Sequence, residues 1–279
     1  MKTRRAPRRP AFARLQGVLL LTMAVLLGSC SNGEVDLSYR FDENERGTKY
    51  LWTIDSTTQI DSSTDHSSSN LEMVIEVLEQ VERENPNADP VLTVTLIPRS
   101  VKQGGAGVKT PGRAVVKYQL DRNGHITEPL GSDLASQAAS ALELGTILSQ
   151  SRVALPSEAV GIGDSWDAPL KLDGDTGSID LTGTGKLLGF ELSGRRKLAR
   201  IATERSGDIT AIEQLAGVLV QLRGKTTSSA TSSLDIDRGT LYSSLSRFSS
   251  DFDMALEETG KLAGTMKVDL TSKLELQPG

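Results

Sequence analysis

From Leu71 to Leu78 the chain reads Leu-Glu-Met-Val-Ile-Glu-Val-Leu, and Leu71, Met73, Ile75 and Val77 hold every odd position. A repeat of two marks a strand with one buried face, so the glutamates between them do not make a helix. Similar alternation, or short runs rich in β-branched and aromatic residues, recurs at 47–60, 91–98 and 113–121. After a gap it returns at 165–172, 177–192, 196–204, 226–237, 240–248 and 261–276. Asn and Pro in 84–90, glycines in 104–112 and the pair Asn123-Gly124 supply turns between these runs. The serine-rich stretch 61–70 reads as a loop.

Two stretches depart from period two. Leu134, Ala138, Ala141, Leu142, Gly145 and Leu148 fall on one face at spacings of three and four. With Ser132 placed to cap and Pro156 beyond the end, they predict a helix over 132–151. Thr210 and Glu213 have the spacing of a capping box, and Ile212, Leu215, Leu219 and Leu222 keep helical spacing after it. A second helix is expected over 210–222, although "GVLVQL" reads equally as a strand. The fold expected is mainly β, of the α+β kind: curved antiparallel sheets with one or two helices packed on one side. "KYQLDRNGHIT" (117–127) echoes "SSLDIDRGTLY" (232–242), which suits two similar halves over about 47–130 and 161–279 joined by helix 132–151. Unrelated hairpins produce the same echo.

The first thirty residues change the picture of where the protein acts. Six basic residues precede an uncharged apolar run, Gly17 to Leu27, which is too short to span a bilayer as a helix of about 20 residues. Leu27, Gly28 and Ser29 then lead into Cys30, the only cysteine of 279 residues. This order resembles the lipobox of bacterial lipoproteins. The resemblance implies cleavage after Ser29, a diacylglyceryl group on the Cys30 thiol and a fatty acyl chain such as palmitate on the new amine. By the same resemblance, Ser31 implies the outer membrane facing the periplasm in a Gram-negative host, and otherwise the outer face of the cytoplasmic membrane. Residues 30–46 then read as an acylated cysteine with a polar tether, and 47–279 as the globular domain. The membrane is thus an expected partner through the lipid.

Charge excludes some partners. Residues 1–29 hold six of the 31 basic residues and none of the 36 acidic ones, so the mature chain carries 25 against 36, a net charge of −11. Such a chain has no use for nucleic acid, and anionic lipid headgroups would repel it as a whole.

Few motifs offer chemistry. "GDSW" (163–166) matches the nucleophile motif of GDS-type esterases, but no histidine follows His125 to serve as base, so Ser165 reads as part of a turn and Trp166 as core. "LPSEAVGIGDSW" (155–166), with looser likeness at "GTKYLW", "MVIEVLEQV" and "VVKYQLDRNG", is similar to a family of uncharacterised, mostly β envelope lipoproteins. "GKT" (224–226) lacks the earlier glycine of a phosphate loop. Asp173, Asp175 and Asp180 lack the ligand pattern of a calcium loop, and His66 and His125 have no zinc partner near in sequence. No enzyme, cofactor or metal is expected.

Two functions fit. One is a non-enzymatic binding or carrier module for an apolar ligand, lined by Leu71, Met73, Ile75 and Val77 of the sheet and by Leu134, Ala138, Ala141, Leu142 and Leu148 of the helix. The other is a structural or protein-interaction lipoprotein with no small-molecule ligand, which suits the serine- and threonine-rich strands at 226–237 and 243–253 and an aromatic content of 4%.

Overall fold

Every regular element among the described residues is a β-strand. The computed structural model describes residues 33–40, 47–62, 66–82, 89–121, 126–132, 152–174, 177–215 and 217–278. The first half of the chain supplies β1 (Thr48–Ser62), β2 (His66–Glu82), β3 (Val91–Gln103), β4 (Ala106–Gly107), β5 (Ala114–Leu120) and β6 (Ile126–Ser132). The second supplies β7 (Ser165–Asp167), β8 (Leu170–Gly174), β9 (Gly177–Ser193), β10 (Arg196–Leu215), β11 (Val218–Asp235), β12 (Thr240–Leu256) and β13 (Leu262–Leu276).

All thirteen join one antiparallel sheet, in the order β6-β5-β3-β2-β1-β13-β12-β11-β10-β9-β7, with β4 on β3 and β8 on β9. Each half is a meander, and the halves meet where β1 pairs with β13 from Tyr50↔Leu276 to Ser62↔Gly264. They are therefore not two separate sheets. The mixed α+β fold expected above is overturned: no described residue is helical, and no described helix packs on the sheet.

The helix expected over 210–222 is a hairpin of β10 and β11 instead, paired down to Leu215↔Val218. Gly217 turns the chain at φ 85°, a left-handed angle that suits glycine and breaks any helix. Ile209, Ala211, Val220 and Leu222 then alternate into one small apolar cluster with Phe252 and Met254. The Thr210 hydroxyl, read as a cap, accepts a hydrogen bond from Ser178 N of the neighbouring strand at 3.1 Å. Of the helix expected over 132–151, Ser132 ends β6, and the remaining positions lie outside the described residues. The serine-rich stretch 61–70 is no simple loop either, since Ser67 to Asn70 pair with Ile60 to Thr57.

One face of the sheet is buried. On β1 it carries Tyr50, Trp52 and Ile54, with Trp52 and Ile54 at 0% exposure. On β12 it carries Ser244, Ser246, Phe248, Ser250, Phe252 and Met254, while Leu245, Arg247, Asp251 and Asp253 between them are exposed. The serine-rich strands are thus not simply wetted. Their buried hydroxyls pair across strands, Ser232 with Ser244 at 2.9 Å and Ser250 with Thr226 at 2.7 Å, which satisfies them without water. Val77, Leu92 and Leu120 from one half share a single core with Leu187, Ala199 and Ile201 from the other, and the two edges approach where β6 lies beside β8.

Two strandless segments complete this core. Val35 and Val160 exchange backbone hydrogen bonds of 2.9 and 3.0 Å, and Leu37, Tyr39, Val153 and Leu155 are buried. Part of the stretch read as a polar tether therefore belongs to the folded body, which begins at Val35.

Candidate functional site

Two places on the molecule collect polar groups beyond what ordinary surface strands would. The larger is a depression of about 1160 Å³ that crosses the strands near their midpoints. Its centre is a single register row: Leu71 on β2 faces Ser56 on β1, which faces Leu270 on β13, then Phe248 on β12 and Ser228 on β11. The row continues through Arg205 on β10 to Gly183 on β9, and its side chains lie on the buried face; the residues on either side of each, with Asp167 on β7, send theirs to the opposite face. Long strands in unbroken register produce this feature, because each contributes the same level of its length.

The two faces differ. The row itself carries Leu71, Phe248, Leu270, Ser56, Ser228 and the guanidinium of Arg205, whereas the flanking positions make an outward band of eight Ser or Thr, five Asp or Glu, Asn70 and Arg247. Ser249 donates to Asp269 at 2.6 Å, and this bond, helped by Lys267, holds the Asp269 carboxyl below its ordinary range. Thr57 donates to Asn70 at 3.0 Å. Arg205 is 5% exposed and donates from Nε to the Ala168 carbonyl at 2.8 Å. Burial lowers its guanidinium to about 10, although the nearby Tyr39 opposes the shift.

A second depression of about 1070 Å³ lies farther along the same strands, with Ile60, Phe252 and Met266 among its lining. Exposed polar pairs edge it: the ion pair of Lys225 with Asp208 at 3.0 Å, and His66 Nδ1 with Asp61 at 2.9 Å.

The other polar collection is internal. Arg152 Nη2 meets Glu79 Oε2 at 3.0 Å, both side chains 8% exposed, and the guanidinium sits 5.3 Å from the centre of the Tyr39 ring. Burial alone would lower the Arg152 pKa, but Glu79, Tyr39 and Tyr50 outweigh it and hold the guanidinium above its ordinary value. Burial, reinforced by Glu79, raises Tyr50 well above the ordinary phenol range. Arg152 Nε and Nη1 are buried without hydrogen-bond partners. The group clasps the segment 152–155 to β2 rather than facing a cavity.

No family model matches the chain, and no curated protein does. Function has to be argued from the side chains.

The positions nominated from the sequence separate under the fold. Ile75 and Val77 are at 0% exposure in the main core, so neither is free to line a ligand cavity. Met73 is half-buried and packs against that core, and only Leu71 reaches the depression. Leu134, Ala138, Ala141, Leu142 and Leu148 lie outside the described residues, as do Leu27, Gly28, Ser29 and Cys30. In "GDSW", Asp164 accepts from Gly161 N at 2.8 Å and Gly163 adopts φ 96°. Trp166 donates to the Ala154 carbonyl at 2.7 Å and lies against Gly185, where a Cβ would collide with its ring. Ser165 is exposed on a short strand. Among the described residues, no group of three or more His, Cys, Asp or Glu is placed to hold a metal. Sequence reasoning missed the band of hydroxyls and carboxylates across β1, β2, β7 and β9–β13. Its signal was present as recurrent Ser and Thr, but register across strands far apart in sequence is invisible without the pairing.

Proposed function

We propose that this chain is a non-enzymatic interaction protein of the bacterial envelope, tethered by lipid on Cys30, whose polar outward band receives an extended segment of a protein partner. The character of the outward band carries the reading: it is long, hydroxyl-rich and biased toward carboxylates, five against the one guanidinium of Arg247. Eight strands at about 4.8 Å spacing give it a length of about 34 Å, enough for about ten extended residues. Ser and Thr offer donors and acceptors to a peptide backbone, and the acidic bias favours a basic segment. The apolar carrier reading loses support because two of its nominated sheet residues are fully packed.

The test is a photo-crosslinking residue at Ser229, exposed in the outward band, compared with one at Lys49, exposed elsewhere on the sheet. A discrete protein adduct from position 229 that is lost in Glu204→Arg is expected. Equal labelling from both positions refutes a specific site. Lipid retained by the purified body in native mass spectrometry, displaced by no peptide, restores the carrier.

A further inference from the structure

The β9–β10 hairpin differs from the rest of this acidic chain. Between residues 186 and 200 it carries Lys186, Arg195, Arg196, Lys197 and Arg200 against one acid, Glu191. Arg196 lies 3.9 Å from the buried Asp235, and Arg200 lies 3.8 Å from Glu191. Lys186, Arg195 and Lys197 are exposed, with no carboxylate at ion-pair distance among the described residues. The same hairpin exposes Leu192 at 79%, the highest value among the large apolar side chains described, and Leu188 at 43%. Lys197 Nζ sits 4.8 Å from the centre of the Phe190 ring, so the ammonium has a cation–π contact but, among the described residues, no carboxylate beside it. Exposed leucines flanked by unpaired cations on a twisted hairpin suit an interface that is apolar below and anionic above.

We infer that this hairpin is a second, non-covalent contact with an anionic lipid bilayer. The occupant is fixed by two observations together: a polyanion would use the cations but not the leucines, and an apolar protein groove would use the leucines but not the cations. The chain's course agrees. Leu187 of the hairpin accepts from Gly163 N at 2.8 Å, and Val160, three residues before Gly163, bridges Val35, five residues after Cys30. An acyl anchor at Cys30 would therefore hold the membrane within about 18 Å of Val35. The inference stands without that anchor, and its test uses a chain that lacks it.

Every described strand and buried core residue belongs to the unit Val35–Gly279, so a chain starting at Ser31 carries the whole core. Its flotation with vesicles of phosphatidylcholine alone, or with phosphatidylglycerol added, reads the contact directly. Binding to the anionic vesicles, weakened by salt, is expected. Arg195→Ala with Lys197→Ala should weaken it about 25-fold, about fivefold per charge near the surface. Leu192→Ser should weaken it about tenfold. All three positions are exposed, and far-ultraviolet circular dichroism checks that the variants fold. No binding to anionic vesicles, or binding unmoved by these variants, overturns the inference. Binding that follows the charges but ignores Leu192→Ser, with dextran sulfate bound equally well, identifies a polyanion site and overturns the bilayer assignment.

Discussion

Arg152 and Glu79 allow an order of effects to be predicted, not just a loss. Both side chains are 8% exposed, joined by one contact of 3.0 Å. Removing one partner of a buried pair costs about 3–5 kcal/mol, because the other charge stays buried. Glu79→Leu is expected to reach that range, since it leaves a guanidinium whose Nε and Nη1 already lack partners. Arg152→Met should cost less, about 2–4 kcal/mol, because it strands the carboxylate but also removes those two unsatisfied donors, each of which costs about 1–3 kcal/mol. Part of that relief is cancelled by the lost cation–π contact with Tyr39, worth about 2 kcal/mol at most when desolvated. The double variant removes both charges and should return to within about 1 kcal/mol of the parent or exceed it. Urea unfolding followed by circular dichroism on all four proteins closes the cycle. A double variant as unstable as the sum of the singles, or Arg152→Met costing more than Glu79→Leu, would refute this account of the clasp.

Gly185→Ala should destabilise by about 1–3 kcal/mol, read by thermal melting, because the new Cβ enters the Trp166 ring. Burial raises the Glu213 carboxyl, so its contribution to stability is complete in acid and is lost as pH rises through the folded pKa. Glu213→Gln should therefore raise the melting temperature at neutral pH, with the gain vanishing well below the ordinary carboxyl pKa; a gain that persists in acid contradicts this. Cys30→Ala should abolish labelling by radioactive palmitate in cells, and a variant that still labels removes the lipid tether from the proposal.

Strand content was legible in the sequence because period two needs only local information. Leu71 to Val77 and 177–192 lie within strands, and so does 261–276 apart from Lys261. The error at 210–222 came from two alternating strands joined by a short turn, whose apolar residues Ile212, Leu215, Leu219 and Leu222 happen to fall at spacings of three and four. A left-handed glycine at 217 is the physical discriminator, and glycine alone does not reveal its φ. The candidate site was less legible still. Leu71 was chosen because it alternates, and so were Ile75 and Val77, but alternation says which face is buried and not whether anything else fills the space beside it. Net charge misled in a similar way: a total of −11 for residues 30–279 conceals five cations within residues 186–200.

The pairing of β1 with β13 has a consequence for how this chain is made. Tyr50 finds one neighbour, Val77, soon after synthesis, but the other, Leu276, appears more than 200 residues later. Closing a loop that spans nearly the whole chain is slow, and until it closes β1 presents a free row of backbone donors and acceptors. The hairpins of β9 to β12 can zip locally, whereas the centre of the finished sheet is the seam that forms last. A ribosome that stops short of 262 would release a protein with its middle open, which is the state most prone to pair with a second copy.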